Sequence, residues 1–116
     1  MRIEDAVQQF REAAIAKGEF ASPAPRDHAL HNAMAEAWRF LEAQSVEGRN
    51  AFRALLADQS PHVRLWVASQ LLSQNILEAA DVVEAEMLSG GPGGLTAKMI
   101  LEEWRAGRLA SPFGAK

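Results

Sequence analysis

An all-α fold is predicted by three observations. Apolar residues recur at helical spacing in successive segments, turn and cap residues separate those segments, and nowhere do apolar and polar residues alternate as in a half-buried strand. The clearest segment is DQSPHVRLWVASQLL at 58–72. Ser60 can accept a hydrogen bond from an orphan amide, and Pro61 sits at the first helical position, where a missing N–H costs nothing. From there Val63, Trp66, Val67 and Leu71 line one face and Leu65, Ala68 and Leu72 a second. A helix apolar on two sides has to be packed between neighbours.

The remaining elements follow in chain order. Ile3, Val7, Phe10 and Ala14 stripe a first helix, with Glu4 and Asp5 near its positive end and Gly18 as its expected stop. SPAP at 22–25 breaks the chain, because two prolines in four residues do not continue a helix. Asp27 is expected to cap a second helix carrying Leu30, Met34, Ala37, Trp38 and Leu41. The pattern stops again around Ser45 to Gly48, and a short third helix from about Arg49 carries Phe52, Leu55 and Leu56.

After the two-faced fourth helix, Asn75 and Glu78 have the spacing of a capping box, and Ile76, Ala80, Val83 and Met87 stripe a fifth helix. GGPGG at 90–94 ends it. A sixth helix places Ala97, Ile100, Leu101 and Trp104 on one side and stops at Gly107. The tail at 109–116 is expected to be extended, with Phe113 packing back on the body.

The length fits one domain, 1–116. Its organisation is expected to be an N-terminal hairpin (1–20 and 27–44), a repeat at 49–73, a second repeat at 75–108 and the tail. Helical pairs of roughly 40 residues suit a right-handed stack of about six helices in antiparallel pairs, HEAT-like or armadillo-like.

Composition narrows the function. A formal net charge of -3 argues against a general nucleic-acid or anionic-membrane binder. The absence of cysteine removes disulfides, thiolate metal sites and a cysteine nucleophile. The opening MRIEDAVQQF is amphipathic without a long apolar core, so neither a secretory signal nor a membrane anchor is expected, and a cytoplasmic protein is the default.

Asp58, Pro61, Val63, Arg64, Val67 and Leu71 match the HEAT pattern D-x-x-P-x-V-R-x-x-A-x-x-x-L, with Val67 in the usual alanine position and Ala68 beside it. With SPHVRLWVASQLL at 60–72 and ILEEWRAGRL at 100–109, the chain resembles a family of short bacterial HEAT-like proteins of unknown function. That resemblance implies an all-helical fold without assigned catalytic residues. It also implies structural roles for Asp58 and Arg64 in holding the turn and adjacent repeats.

Chemistry-bearing residues are sparse. His28 and His31 lie three apart on the second helix, with Asp27 and Asn32 nearby, but a third strong metal ligand is missing and nothing forces His62 towards them. No nucleophile or base with an orienting partner stands out, so neither enzymatic activity nor a metal or other cofactor is expected. Trp38, Trp66 and Trp104 all fall on apolar faces, where core packing is the default role and a partner anchor the alternative.

Charge is the sharper clue to partners. Residues 73–103 hold Glu78, Asp81, Glu84, Glu86, Glu102 and Glu103 against Lys98 alone, whereas Arg105, Arg108 and Lys116 make the C-terminal end basic. The acidic run reads either as a solvated flank or as a docking surface for a basic protein, with Glu78, Asp81, Glu84, Glu102 and Glu103 as its candidate residues. The expected function is a non-enzymatic protein-interaction module, in one version an immunity-like antagonist that neutralises a basic partner. The competing expectation is a small-molecule- or metal-binding helical domain with a possible enzymatic role.

Overall fold

The structure is a computed structural model that describes residues 1–19 and 24–114. It is all-helical over those residues, in the order α1 (Ile3–Glu19), α2 (Ala24–Ala43), α3 (Ser45–Ala54), a 3-10 turn (Leu55–Ala57), α4 (Pro61–Ser73), α5 (Glu78–Leu88) and α6 (Gly94–Arg105). Among the described residues no helix is long and apolar enough to cross a membrane. The chain divides into two compact units, Met1–Leu55 and Leu56–Lys116. The division falls inside the segment 49–73 expected to form one repeat, so α3 belongs with α1 and α2, against which it packs.

In the first unit α1 and α2 pair, burying Ala6, Phe10, Ala13 and Ala14 of α1 and Met34, Ala35, Ala37, Trp38 and Leu41 of α2. Phe10 meets Phe52 of α3 edge to face, with ring centroids 5.2 Å apart, the favoured geometry for aromatic quadrupoles. Three boundaries differ from expectation. First, α1 runs one residue past Gly18 to Glu19. Second, α2 begins at Ala24, because proline is tolerated in a first helical turn; Pro25 therefore does not block the helix and Asp27 lies inside it. The preceding part of the SPAP break, 22–23, lies outside the described residues.

Third, α3 starts at Ser45 instead of Arg49. Ser45 takes a left-handed backbone conformation, φ 41°, and with Gln44, at φ -91° and ψ 60°, it turns the chain out of α2. Gly48 is not a breaker but a close-approach residue. A Cβ there would lie 2.1 Å from the Leu41 carbonyl oxygen and 2.6 Å from Gln44 Cβ, so only glycine lets α3 pass this close to the end of α2.

In the second unit α4 packs on α5 and α6, and α5 packs on α6. Ser60 Oγ accepts from the Val63 amide at 3.4 Å, as its capping role requires. Helix α4 buries Val63, Leu65, Val67, Ala68, Leu71 and Leu72 from both expected faces, together with Gln70. Trp66 is half-buried beside Phe113, with ring centroids 6.0 Å apart, and Phe113 is buried as the tail reading anticipated.

The capping box at Asn75 and Glu78 does not form. Asn75 instead adopts φ 60° and closes α4: its amide bonds the Leu72 carbonyl at 2.9 Å and the Ile76 amide bonds the Leu71 carbonyl at 3.0 Å. This double bond pattern satisfies the orphan carbonyls of α4, a role asparagine fills because it tolerates the left-handed region. Gly107, φ 74°, ends α6 in the same way, its amide bonding Trp104 O and the Arg108 amide bonding Glu103 O.

Two measurements test these assignments. Alanine at Gly48 would gain about 1 kcal/mol of helix propensity, but the obstacle is a backbone carbonyl that cannot step aside. Gly48→Ala is therefore expected to lose about 1–3 kcal/mol on balance in chemical denaturation. In α2, the hydrogen bond from the Lys17 ammonium, followed by its charge, holds the Asp27 carboxyl below the usual aspartate range. A carboxyl depressed in the folded state stabilises above its unfolded pKa and loses that contribution as pH falls through the folded one. Acid titration of stability below about pH 4 should be shallower in Asp27→Asn than in the parent.

Candidate functional site

Arg64 joins two parts of the second unit through three hydrogen bonds. It projects from the first turn of α4, where Nη1 donates to the Asp58 and Gln59 carbonyls at 2.8 and 3.0 Å and Nη2 donates to Glu86 Oε1 of α5 at 2.6 Å. Asp58 accepts the Ser60 amide at 3.0 Å through Oδ2, folding the chain into the turn that presents those carbonyls. Pro61 opens the helix and Val63 is fully buried beneath it. Asp58 and Arg64 thus organise the turn, and Arg64 also reaches the next helix.

Glu86 was expected to be part of the acidic flank, and it is not. It is 6% exposed and faces inward with Ala79 and Val83. The predicted stripe of α5 was rotated about its axis: of Ile76, Ala80, Val83 and Met87, only Val83 is fully buried. The signal that would have found Glu86 is its spacing, since 79, 83 and 86 share one helical face.

Behind Glu86 lies the α5–α6 turn. Ser89 Oγ donates to the Glu86 carbonyl at 2.8 Å and accepts from the Gly91 amide at 3.1 Å, while Gly90 takes φ 74°. A Cβ on Gly93 would come within 2.7 Å of Leu65 Cδ1 and 3.2 Å of Glu86 Cγ. The glycine run is therefore a tight packing surface against α4 and α5 as well as a turn.

The five predicted docking carboxylates divide into two groups. Glu84 and Glu103 are half-buried and engaged by arginines of the basic C-terminal segment: Arg105 meets Glu84 at 3.1 Å, and Arg108 grips Glu103 with two bonds of 3.1 and 3.3 Å. The Glu103 contact holds the Arg108 guanidinium above the usual arginine range. Glu78, Asp81 and Glu102 are exposed.

The same hairpin exposes large apolar side chains. Leu88 closes α5 with 80% of its surface open, and Leu95 and Met99, one turn apart on α6, are 73% and 58% exposed. Leu88 and Leu95 flank the 89–93 turn and so lie at one end of the hairpin.

In the first unit His28 is exposed and His31 half-buried on α2, and Asp27 is taken up by Lys17. Among the described residues no group of three or more His, Asp or Glu side chains is arranged to hold a metal ion. An open depression of about 410 Å³ between α1 and α2 is lined by Asp5, Gln8, Gln9, Glu12, Ala13, Leu30 and Ala33, so it includes neither histidine. Gln9 Nε2 there already donates to the Ala33 carbonyl and to Glu36, both at 3.0 Å. Trp38 is buried, while Trp66 and Trp104 are half-buried.

Comparison of the chain with protein-family models, with curated proteins and with solved structures finds no match.

Removing Glu86 strands a guanidinium that is only 26% exposed. Glu86→Ala is expected to destabilise the protein by about 3 kcal/mol in urea denaturation. Replacing both partners, as in Arg64→Met with Glu86→Met, should recover part of that loss, because no charge is then left buried without its counterion.

Proposed function

We propose that the protein is a non-enzymatic interaction module of the bacterial HEAT-like kind, which binds a basic protein and thereby regulates or neutralises it. The observation that carries this reading is the distribution of acid on the α5–α6 hairpin. Arg105 and Arg108 fold back on Glu84 and Glu103, while Glu78, Asp81 and Glu102 are exposed, and Lys98 and Arg105 are the exposed cations of α6. Carboxylates held outward on rigid helices attract a basic partner at long range and favour its orientation, at little cost in conformational entropy. The HEAT-like motif residues Asp58, Pro61, Val63 and Arg64 support the reading indirectly, since stacked helices commonly act as binding surfaces.

The test is affinity capture from the native extract with the parent and with Asp81→Asn/Glu102→Gln, each at low and high salt. The expected result is a basic protein retained by the parent at low salt, lost at high salt and diminished by the double variant. Retention that ignores both salt and the two carboxylates would show that the acidic hairpin is not the docking surface.

A further inference from the structure

Past α6 the chain returns to α4, and we infer that this segment, 108–113, is a releasable strap: it lifts from α4 while the helices stay folded, and the buried amide of Gln70 keeps it poised to do so. Gly107, at φ 74°, ends α6, and residues 108–111 belong to no helix. Trp66 and Gln70 lie four residues apart and so on one face of α4. The strap crosses that face. Ser111 Oγ donates to Gln70 Oε1 at 2.5 Å, and Phe113, 1% exposed, sets its ring 6.0 Å from that of Trp66. Ser111 Oγ also accepts from the Phe113 amide at 3.3 Å, which joins the polar and the apolar contact into one unit.

The two contacts pull in opposite directions. Burying Phe113 against Trp66 favours closure, because a large aromatic ring is withdrawn from water. Gln70 opposes it. The side chain is 0% exposed; Ser111 satisfies Oε1, but Nε2 has no hydrogen-bond partner among the described residues. A buried amide N–H without an acceptor has given up water and gained nothing in its place. Once the strap lifts, both ends of the amide meet water, so the penalty belongs to the closed state alone. Permanent packing at this position would be better served by an apolar side chain of the same length, and an orphaned donor there is accounted for by a closure that reverses. Opening bares the half-buried Trp66, so the strap governs access to an aromatic face of α4.

The experiment uses the full chain with fluorophenylalanine in place of phenylalanine, read by fluorine NMR, the Phe113 signal being assigned by its loss in Phe113→Leu. In the parent, Phe113 should exchange between a buried and a solvent-exposed environment faster than the protein unfolds globally, with circular dichroism showing the helices intact. Gln70→Met, of similar length, should lower the open population about tenfold, because no amide is then buried unpaired and the half-buried Ser111 is less costly to leave without that partner. Ser111→Ala should raise it by a similar factor, since Oε1 then joins Nε2 without a partner.

A Phe113 signal that leaves its buried environment only at the rate of global unfolding would make the strap a fixed part of the core, and the inference would be wrong. An open population that Gln70→Met increases would overturn it differently, by showing that the amide holds the strap down. Equal populations in the parent and both variants would remove Gln70 from the balance and overturn it as well.

Discussion

The Arg64–Glu86 ion pair is the contact on which the second helical unit turns. Three acceptors meet one guanidinium: two carbonyls from the turn before α4 and a carboxylate from α5. Breaking the pair would leave Glu86 inside the unit with a charge and no counterion, a more expensive state than either the intact pair or an apolar pair of the same size. Its contribution is therefore to register as much as to net stability. With Arg64 fixed in the first turn of α4, the Glu86 position sets how far α5 slides along α4, and Glu86 in turn backs the glycine turn that starts α6.

The first unit shows a different kind of contact at its centre. Its core is alanine-rich along α1 and α2, which allows the helices to approach closely, and its order comes from shape: the Phe10–Phe52 edge-to-face contact and the passage of Gly48 over the end of α2. Lys17 and Asp27 link the last turn of α1 to the first turn of α2, near the helix ends whose partial charges each complements. The buried Arg64–Glu86 pair and the close approach at Gly48 respond to different substitutions, the first to loss of a charge and the second to an added methyl group.

Much of this was legible in the chain because it is governed locally. A Ser-Pro start, a glycine stop and a proline-glycine turn are decided within four or five residues, which is why the beginning of α4, the end of α6 and the 90–94 turn are where the sequence puts them. Gly48, Asn75 and Glu86 were misread for a shared reason. Each residue type has an ordinary local meaning, as a breaker, a helix cap and a solvated acid, and each is overridden here by a contact or geometry that local pattern does not display. Gly48 answers to the Leu41 carbonyl, Asn75 to the carbonyls that α4 leaves open, and Glu86 to Arg64. The basic residues that follow the acidic run do not stand apart from it, since Arg105 and Arg108 lie against Glu84 and Glu103.

That pairing alters what the acidic run can do. Had all its carboxylates been free, the surface would have been a general attractor for cations, with little to distinguish one basic protein from another. With Glu84 and Glu103 neutralised and Glu86 withdrawn into the interior, the remaining charge is sparse, and sparse exposed charge in water contributes more to steering than to affinity. The same hairpin also exposes the apolar side chains of Leu88, Leu95 and Met99. The inner stripe of α6 already supplies the contact with its neighbours through Ala97 and Leu101, so Leu95 and Met99 on the opposite side add little to the core and expose apolar surface to water. A sequence under ordinary pressure for solubility places polar residues at such positions, so these side chains are the departure from that rule on this hairpin.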